Sequence, residues 1–197
     1  MQKKALSVIV LIISVVSLFG CSNSNADISQ KSNVELYDDM HLEATIVEDF
    51  AESYYDENEL MDMVNEEVST YNVSKGGTPI SVLSHSLESG VMSLRLSFTD
   101  VSHYNNYMPE EIFIGTVNEA YQQGYDFNRS LVVVNKPNIT IGKNDLMNMA
   151  TYKLLIVQGD VIIKCPTKIL FYSQGMELLD DNTVSCNGNN TYFIIYK

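Results

Sequence analysis

The side chains best suited to acid–base or metal chemistry are three histidines, and they lie far apart along the chain. His41, His85 and His103 form no H-E-x-x-H pair and no comparable ligand spacing. The sequence contains neither the G-x-S-x-G pattern of a hydrolase nucleophile nor the G-x-x-x-x-G-K-S/T loop that binds phosphate. It therefore predicts no metal site, no cofactor and no catalytic residue.

Tyrosine is enriched, with 12 copies in a chain that has no Trp. Tyr104 and Tyr107 lie beside His103 on a predicted short helix that ends before Pro109. Because amphipathic rings are over-represented at recognition surfaces, these two tyrosines are a candidate binding surface for a protein or glycan partner. The alternative is that both rings are half-buried anchors of the helix.

One cysteine closes a short motif near the start of the chain. The tetrad Leu18-Phe19-Gly20-Cys21 ends an uncharged run from Ala5 to Phe19, which follows Lys3 and Lys4. This run of 15 residues has the length of a signal-peptide core and is shorter than the ~20 residues of a membrane-spanning helix.

The tetrad resembles the lipobox of bacterial lipoprotein precursors. The resemblance implies that residues 1–20 are a signal peptide and that the Cys21 thiol receives a diacylglyceryl group before cleavage. The lipid, with palmitate-type acyl chains, would hold the protein on the outer face of the cell membrane, because two chains anchor stably where one binds reversibly. We therefore expect an extracytoplasmic lipoprotein of the cell envelope.

The other two cysteines, Cys165 and Cys186, form an even pair once Cys21 carries lipid. Outside the membrane such a pair can be oxidised, and a disulfide here would enclose 20 residues. In the chain-entropy model that bridge would stabilise the fold by roughly 3 kcal/mol. The alternative is two buried thiols in neighbouring strands that act as small hydrophobic side chains.

Acidic residues are concentrated near the predicted membrane anchor. Removing residues 1–20 leaves 10 basic and 25 acidic residues, a formal charge of −15, and residues 27–67 contain 14 of those acidic residues against Lys31. Nucleic acid is not an expected partner because phosphate binding requires clustered Lys and Arg. Residues 21–40 are rich in Ser, Asn, Asp and Gln, which predicts a disordered tether.

The pattern from residue 41 to residue 130 predicts an α+β domain. Apolar and polar residues alternate from His41, which indicates a half-buried strand, and Asp56 can cap a helix that begins at Glu57. A hairpin is expected around Glu88-Ser89-Gly90, followed by the short helix capped by Asp100 and a second short helix after Thr116. The inward stripe of the main helix is predicted to contain Leu60, Met63, Val64, Val68 and Tyr71.

Residues 131–197 are predicted to be mostly β, as a subdomain or as a second layer of the same domain. Together the two parts predict an α+β fold in which an antiparallel sheet with one main helix and short helices precedes a mostly β C-terminal part. The β-leaning runs are Leu131 to Asn135, Lys153 to Val157, Val161 to Cys165, Lys168 to Tyr172 and Tyr192 to Ile195.

The segments VEDF, YYDENEL and GTVNEAYQQGYDF resemble those of small, uncharacterised Gram-positive lipoprotein domains, over about residues 41–128. This second resemblance implies no activity and no catalytic residue. We therefore expect a lipid-anchored binding or interaction module that is not an enzyme. The alternative is an envelope enzyme of hydrolase type whose dispersed site residues the sequence does not reveal.

Overall fold

The structure, a computed structural model, describes residues 31–197 and confirms the predicted α+β class. The predicted signal peptide, the Cys21 lipidation site and residues 22–30 of the predicted tether lie outside the described residues. Within residues 31–197, no helix has the length and apolar character needed to cross a membrane. Of the described chain, unit 1 contains residues 31–33 and 41–109, and unit 2 contains residues 34–40 and 110–197.

Four helices and thirteen strands make up the described chain. In chain order they are β1 (Asn33–Leu36), β2 (Leu42–Asp49), α1 (Glu57–Lys75), β3 (Ile80–Glu88), β4 (Val91–Phe98), α2 (Val101–Tyr107), β5 (Phe113–Thr116), α3 (Val117–Gln122), β6 (Leu131–Val133), β7 (Lys136–Ile141), α4 (Lys143–Met147), β8 (Lys153–Gln158), β9 (Ile162–Lys164), β10 (Ile169–Ser173), β11 (Glu177–Leu178), β12 (Thr183–Ser185) and β13 (Thr191–Tyr196).

In unit 1, β2, β4 and β3 lie side by side in that order, and both pairings are antiparallel. The β3–β4 hairpin closes through Ser89 and Gly90, whose φ angles of 53° and 80° are those of a two-residue hairpin turn. Leu42, Phe98 and Ile80 are opposite one another across the three strands, and all three are buried. The predicted hairpin is confirmed.

The main helix α1 begins and ends at local signals. The Asp56 carboxylate accepts hydrogen bonds from the backbone N–H groups of Asn58 and Glu59, and Gly76 ends the helix at a φ of 71°. The buried side chains are Met61, Val64 and Val68, whereas Met63, predicted to face inward, is 37% exposed. Only these three of the nineteen helix residues are buried, so the packing partner decides which of the neighbouring methionines faces inward.

Unit 2 contains a six-stranded sheet in the order β5-β8-β13-β10-β6-β7, in which every pairing is antiparallel. In its centre, β13 pairs with β8 over six residues and with β10 on its other side. The capping box of Thr116 and Glu119 starts α3, which packs on this core. The buried core contains Phe113, Val117, Ala120, Phe127, Leu131, Leu146, Leu154, Ile156, Phe193 and Ile195.

The division of the chain differs from the predicted boundary at residue 130. It falls between Pro109 and Glu110, because β5 pairs with β8 about forty residues later and α3 shares the core of the C-terminal strands. Residues 110–130 therefore belong to the C-terminal unit. A local pattern can identify β5 as a strand, but it does not contain the information on which strand it joins.

The end of the predicted tether is also ordered. Val34 and Leu36 in β1 are 3% and 2% exposed, and β1 lies beside β9 in the order β11-β12-β9-β1. The Nζ atom of Lys164 on β9 lies 2.6 Å from the Glu35 Oε1 atom. Residues 33–36 are thus a strand and not the predicted disordered tether. Two alternating apolar side chains give a weak local signal, and the partner strand supplies the burial.

Replacing Leu36 with Ala distinguishes a strand from a tether. Because Leu36 is almost fully buried, we expect Leu36→Ala to lower the free energy of unfolding by about 2–5 kcal/mol in denaturant titrations. The matched control is Met40→Ala in the same predicted tether, where the side chain is 38% exposed and the expected loss is below ~1 kcal/mol. Equal, small losses for both variants would contradict the placement of β1.

Candidate functional site

The two tyrosines predicted as a binding surface are buried in unit 1. Tyr104 and Tyr107 lie three residues apart on α2, so both rings project from one side of the helix. Tyr104 and Tyr107 are 4% and 8% exposed. The Tyr104 ring meets the Phe98 ring of β4 edge-on, with ring centroids 5.2 Å apart. The structure therefore contradicts an exposed Tyr104–Tyr107 surface and favours the alternative, in which these rings anchor α2 on β4.

A partly exposed polar cluster lies next to these rings. The Tyr71 hydroxyl of α1 is hydrogen-bonded to His103 Nδ1 at 3.0 Å, and His103 Nε2 lies 3.8 Å from Asp100 Oδ2. Asp100 also caps α2 by accepting a hydrogen bond from the backbone N–H of His103. The Tyr71 ring meets the Tyr107 ring edge-on at 5.7 Å, which connects the cluster to the buried rings.

The order carboxylate, imidazole, hydroxyl is one that can move a proton, but the hydroxyl here is not activated. Burial and the nearby Asp100 carboxylate raise the pKa of Tyr71 above its ordinary value, so the phenol stays protonated at neutral pH. The protonated hydroxyl can donate to Nδ1 when that nitrogen carries no proton. The arrangement is therefore suited to holding α1 against α2 through a polar contact.

The Tyr71–His103 contact was not predicted from the sequence. Tyr71 was assigned to the inward stripe of the main helix, and His103 to the next capped helix, but 32 residues separate them. Periodicity indicates which side of each helix faces inward. It does not indicate that these two side chains meet.

The histidines do not converge on a metal site in the described chain. His41 lies 4.0 Å from Glu43, His85 lies 3.4 Å from Glu57, and His103 contacts Asp100 as described above. Across residues 31–197, no group of three or more His, Cys, Asp or Glu side chains is arranged to hold a metal ion. Each histidine instead faces one carboxylate on its own or a neighbouring element.

Cys165 and Cys186 are buried at opposite ends of the β9–β12 pair. The register places Cys165 beside Asn182 and Cys186 beside Val161, since the N–H of each cysteine donates to the carbonyl oxygen of that residue. The cysteines are thus four residues apart along the strands, or about 13 Å at ~3.3 Å per residue. Because a disulfide requires Cα atoms within ~7 Å, this separation favours the alternative of two buried thiols, and both cysteines are free in the structure.

The longest strand of the described chain lies at the edge of its sheet and is exposed. β3 has nine residues, is the last strand in the order β2-β4-β3, and has seven exposed residues. His85 on this strand faces Glu57 at the start of α1. Sequence reasoning identified the hairpin, but whether β3 or β4 would be the edge depends on where β2 pairs.

Thiol labelling tests the register of the two cysteines. Burial raises the pKa of Cys165 to about 12, so its thiolate is scarce and alkylation of the folded protein should be slow. After unfolding without reductant, we expect both Cys165 and Cys186 to react, each adding one label by mass spectrometry. Protein reduced before unfolding is the control. Labels that appear only after reduction would contradict the register.

The carboxyl group of Glu67 on α1 should make stability depend on pH. Burial and the neighbouring Glu66 carboxylate raise the pKa of Glu67 above its ordinary value near 4.5. A raised carboxyl pKa favours folding below the unfolded pKa, and this contribution is lost as pH rises through the folded pKa. We therefore expect Glu67→Gln to raise the melting temperature at pH 7, with a gain that narrows below pH ~4.5.

The control for Glu67→Gln is Glu110→Gln, which changes the formal charge equally at an exposed position of unit 2. Thermal unfolding followed by circular dichroism at several pH values provides the comparison. A gain for Glu67→Gln that is unchanged between pH 7 and pH 4 would refute the role of its ionised carboxylate.

No protein-family model, curated protein or solved structure shows significant similarity to this chain. The candidate site is therefore defined by contacts within the described chain. It consists of unit 1 with its exposed edge strand β3, the acidic helix α1 beside it, and the Tyr71–His103–Asp100 cluster that joins α1 to α2.

Proposed function

We propose that this protein is a lipoprotein anchored to the outer face of the cell membrane through lipid on Cys21, and that its folded part is a non-enzymatic binding module. The observation that carries the proposal is the tetrad Leu18-Phe19-Gly20-Cys21 after 15 uncharged residues and two lysines. A Cys in that position is the acceptor of lipid in the proteins that the tetrad resembles.

The start of the folded part supports this arrangement. β1 begins at Asn33, so eleven residues separate it from Cys21. Eleven residues span at most about 40 Å. A lipid on Cys21 would therefore keep the start of β1 within about 40 Å of the membrane face.

The charge of unit 1 supports a partner other than nucleic acid or the membrane surface itself. Its described residues contain twelve Asp and Glu side chains against Lys31, Lys75 and Arg95. Anionic headgroups and phosphates repel such a surface within a Debye length of ~8 Å. The expected partner is therefore a protein or glycan without strong negative charge.

The exposed edge strand β3 supports a binding role. It has nine residues, seven of them exposed, and is the last strand in the order β2-β4-β3. An exposed strand edge can accept an added strand from a partner.

Replacing Cys21 tests the anchor in the native envelope. We expect the wild-type protein to stay with the membrane fraction and its mature N-terminal peptide to carry the mass of a diacylglyceryl group. Cys21→Ala should remove the lipid and prevent cleavage at residue 20. Metabolic labelling with a palmitate analogue gives the direct readout.

The matched control is Cys165→Ala, which removes a thiol from the buried end of β9 and leaves the tetrad intact. This variant should incorporate the same lipid label as the wild type. Lipid label retained by Cys21→Ala, or an unmodified Cys21 in the mature wild-type protein, would refute the anchor.

A further inference from the structure

The outer edge of β3 is directed to solvent along most of its length. A two-residue turn closes the hairpin, so Glu88 and Val91 exchange backbone hydrogen bonds, and alternate residues of β3 repeat this with β4. The backbone groups of Ser84 and Ser86 therefore face β4. Those of His85 and Leu87 face away from the sheet.

One residue at the start of this edge already has an added partner. The Asn72 side chain of α1 donates from Nδ2 to the Ile80 carbonyl oxygen at 2.8 Å, and its Oδ1 accepts from the Ile80 N–H at 3.1 Å. A side-chain amide thus makes the pair of bonds that a residue of an added strand would make. The edge geometry at Ile80 accepts a peptide-like partner.

The edge strand β7 of unit 2 shows how this protein protects a sheet edge. β7 is the last strand of the six-stranded sheet and contains Lys136 and Pro137, both of which discourage strand addition. The remaining edge strands, β5 and β11, have four and two residues. β3 has nine residues with neither Lys nor Pro. Its bulge lies between Val82 and Ser84, and regular pairing with β4 resumes from Ser84 through Glu88, the stretch that contains His85 and Leu87.

The charge beside β3 selects the kind of segment that fits. α1 extends along β3, with Asn72 bonded to Ile80 near one end and Glu57 facing His85 at the other. The helix contains five carboxylates and Lys75 as its single basic residue. A strand added next to β3 would therefore lie in a negative potential, which favours Lys and Arg side chains.

We propose that β3 binds an extended peptide segment rich in Lys or Arg, which adds to the sheet as a further strand. The backbone of His85 and Leu87 supplies the hydrogen bonds, and the carboxylates of α1 and of Glu88 attract the basic side chains. This inference rests on the proposed binding function and specifies its partner class. It is independent of the lipid anchor on Cys21.

The test uses the intact ¹⁵N-labelled protein in neutral detergent and a ten-residue peptide of alternating Lys and Val with blocked ends. Amide hydrogen exchange is measured by NMR at each residue of β3. We expect the peptide to slow exchange at His85 and Leu87 and to leave Ser84 and Ser86 nearly unchanged, since their N–H groups already bond to β4. The protection should weaken between 0.05 and 0.5 M salt.

Two variants at one position separate backbone pairing from side-chain contact. His85→Pro removes the outward N–H and should weaken peptide binding at least about tenfold, the effect of ~1.4 kcal/mol. His85→Gln keeps that N–H and should bind within about twofold of the wild type. If His85→Pro does not fold, the wild-type protein is tested instead with the same peptide carrying methyl groups on alternate backbone nitrogens. This methylated peptide should not slow amide exchange in β3.

Three outcomes would overturn the inference. One is slow exchange at His85 and Leu87 before any peptide is added, because the edge would then be occupied by a second copy or by residues 22–30. Another is protection confined to unit 2, which would leave a binding module with a different site. The third is equal binding by a Glu–Val peptide of the same length. None of these outcomes affects the anchor, which fails only if Cys21 carries no lipid.

Discussion

The pairing of β4 with strands on both of its sides is the constraint on which unit 1 depends. All eight residues of β4 pair with β2, and β3 pairs along the same strand on the other side. This places Phe98 between Leu42 and Ile80 and under the Tyr104 ring, so the sheet and α2 share one buried contact. β3 pairs only with β4 and is therefore the outer strand in the order β2-β4-β3.

Unit 2 is held together by pairings between residues that are distant in the chain. β13, at the end of the chain, lies between β8 and β10, and β5 is brought to the edge of the same sheet by its pairing with β8. At one end of β13, the Arg129 guanidinium lies 4.0 Å from the Phe193 ring centroid and donates a hydrogen bond to the Thr191 carbonyl oxygen. Arg129 thereby fastens the segment before β6 to the central strand.

The proposed function joins two separate features of the chain. The tetrad at Cys21 carries the proposed anchor, and the acidic α1 beside β3 carries the proposed choice of partner. The polar cluster of Tyr71, His103 and Asp100 has a third role, which is to fix α1 to α2. Since Asn72 on α1 also bonds to Ile80, the helix and the edge strand are held as one element of unit 1.

Features set by neighbouring residues were readable from the sequence alone. The cap at Asp56, the Ser89-Gly90 turn, the Thr116 capping box and the alternation in β2 and β4 each involve side chains only a few positions apart. These signals were enough to predict the α+β class, because helix starts, turns and period-two strands follow from local backbone and burial preferences. The tetrad Leu18-Phe19-Gly20-Cys21, on which the proposed anchor rests, is equally local.

Only the tertiary structure decided which elements meet. It ordered β1, moved residues 110–130 into unit 2, buried Tyr104 and Tyr107, and separated Cys165 from Cys186 by four residues of register. Each of these depends on a pairing partner tens of residues away, and a strand's own sequence specifies its faces but not its neighbour. The exposed edge of β3 exists for the same reason: β4 pairs with β2 on one side and with β3 on the other, which leaves β3 as the last strand in this order.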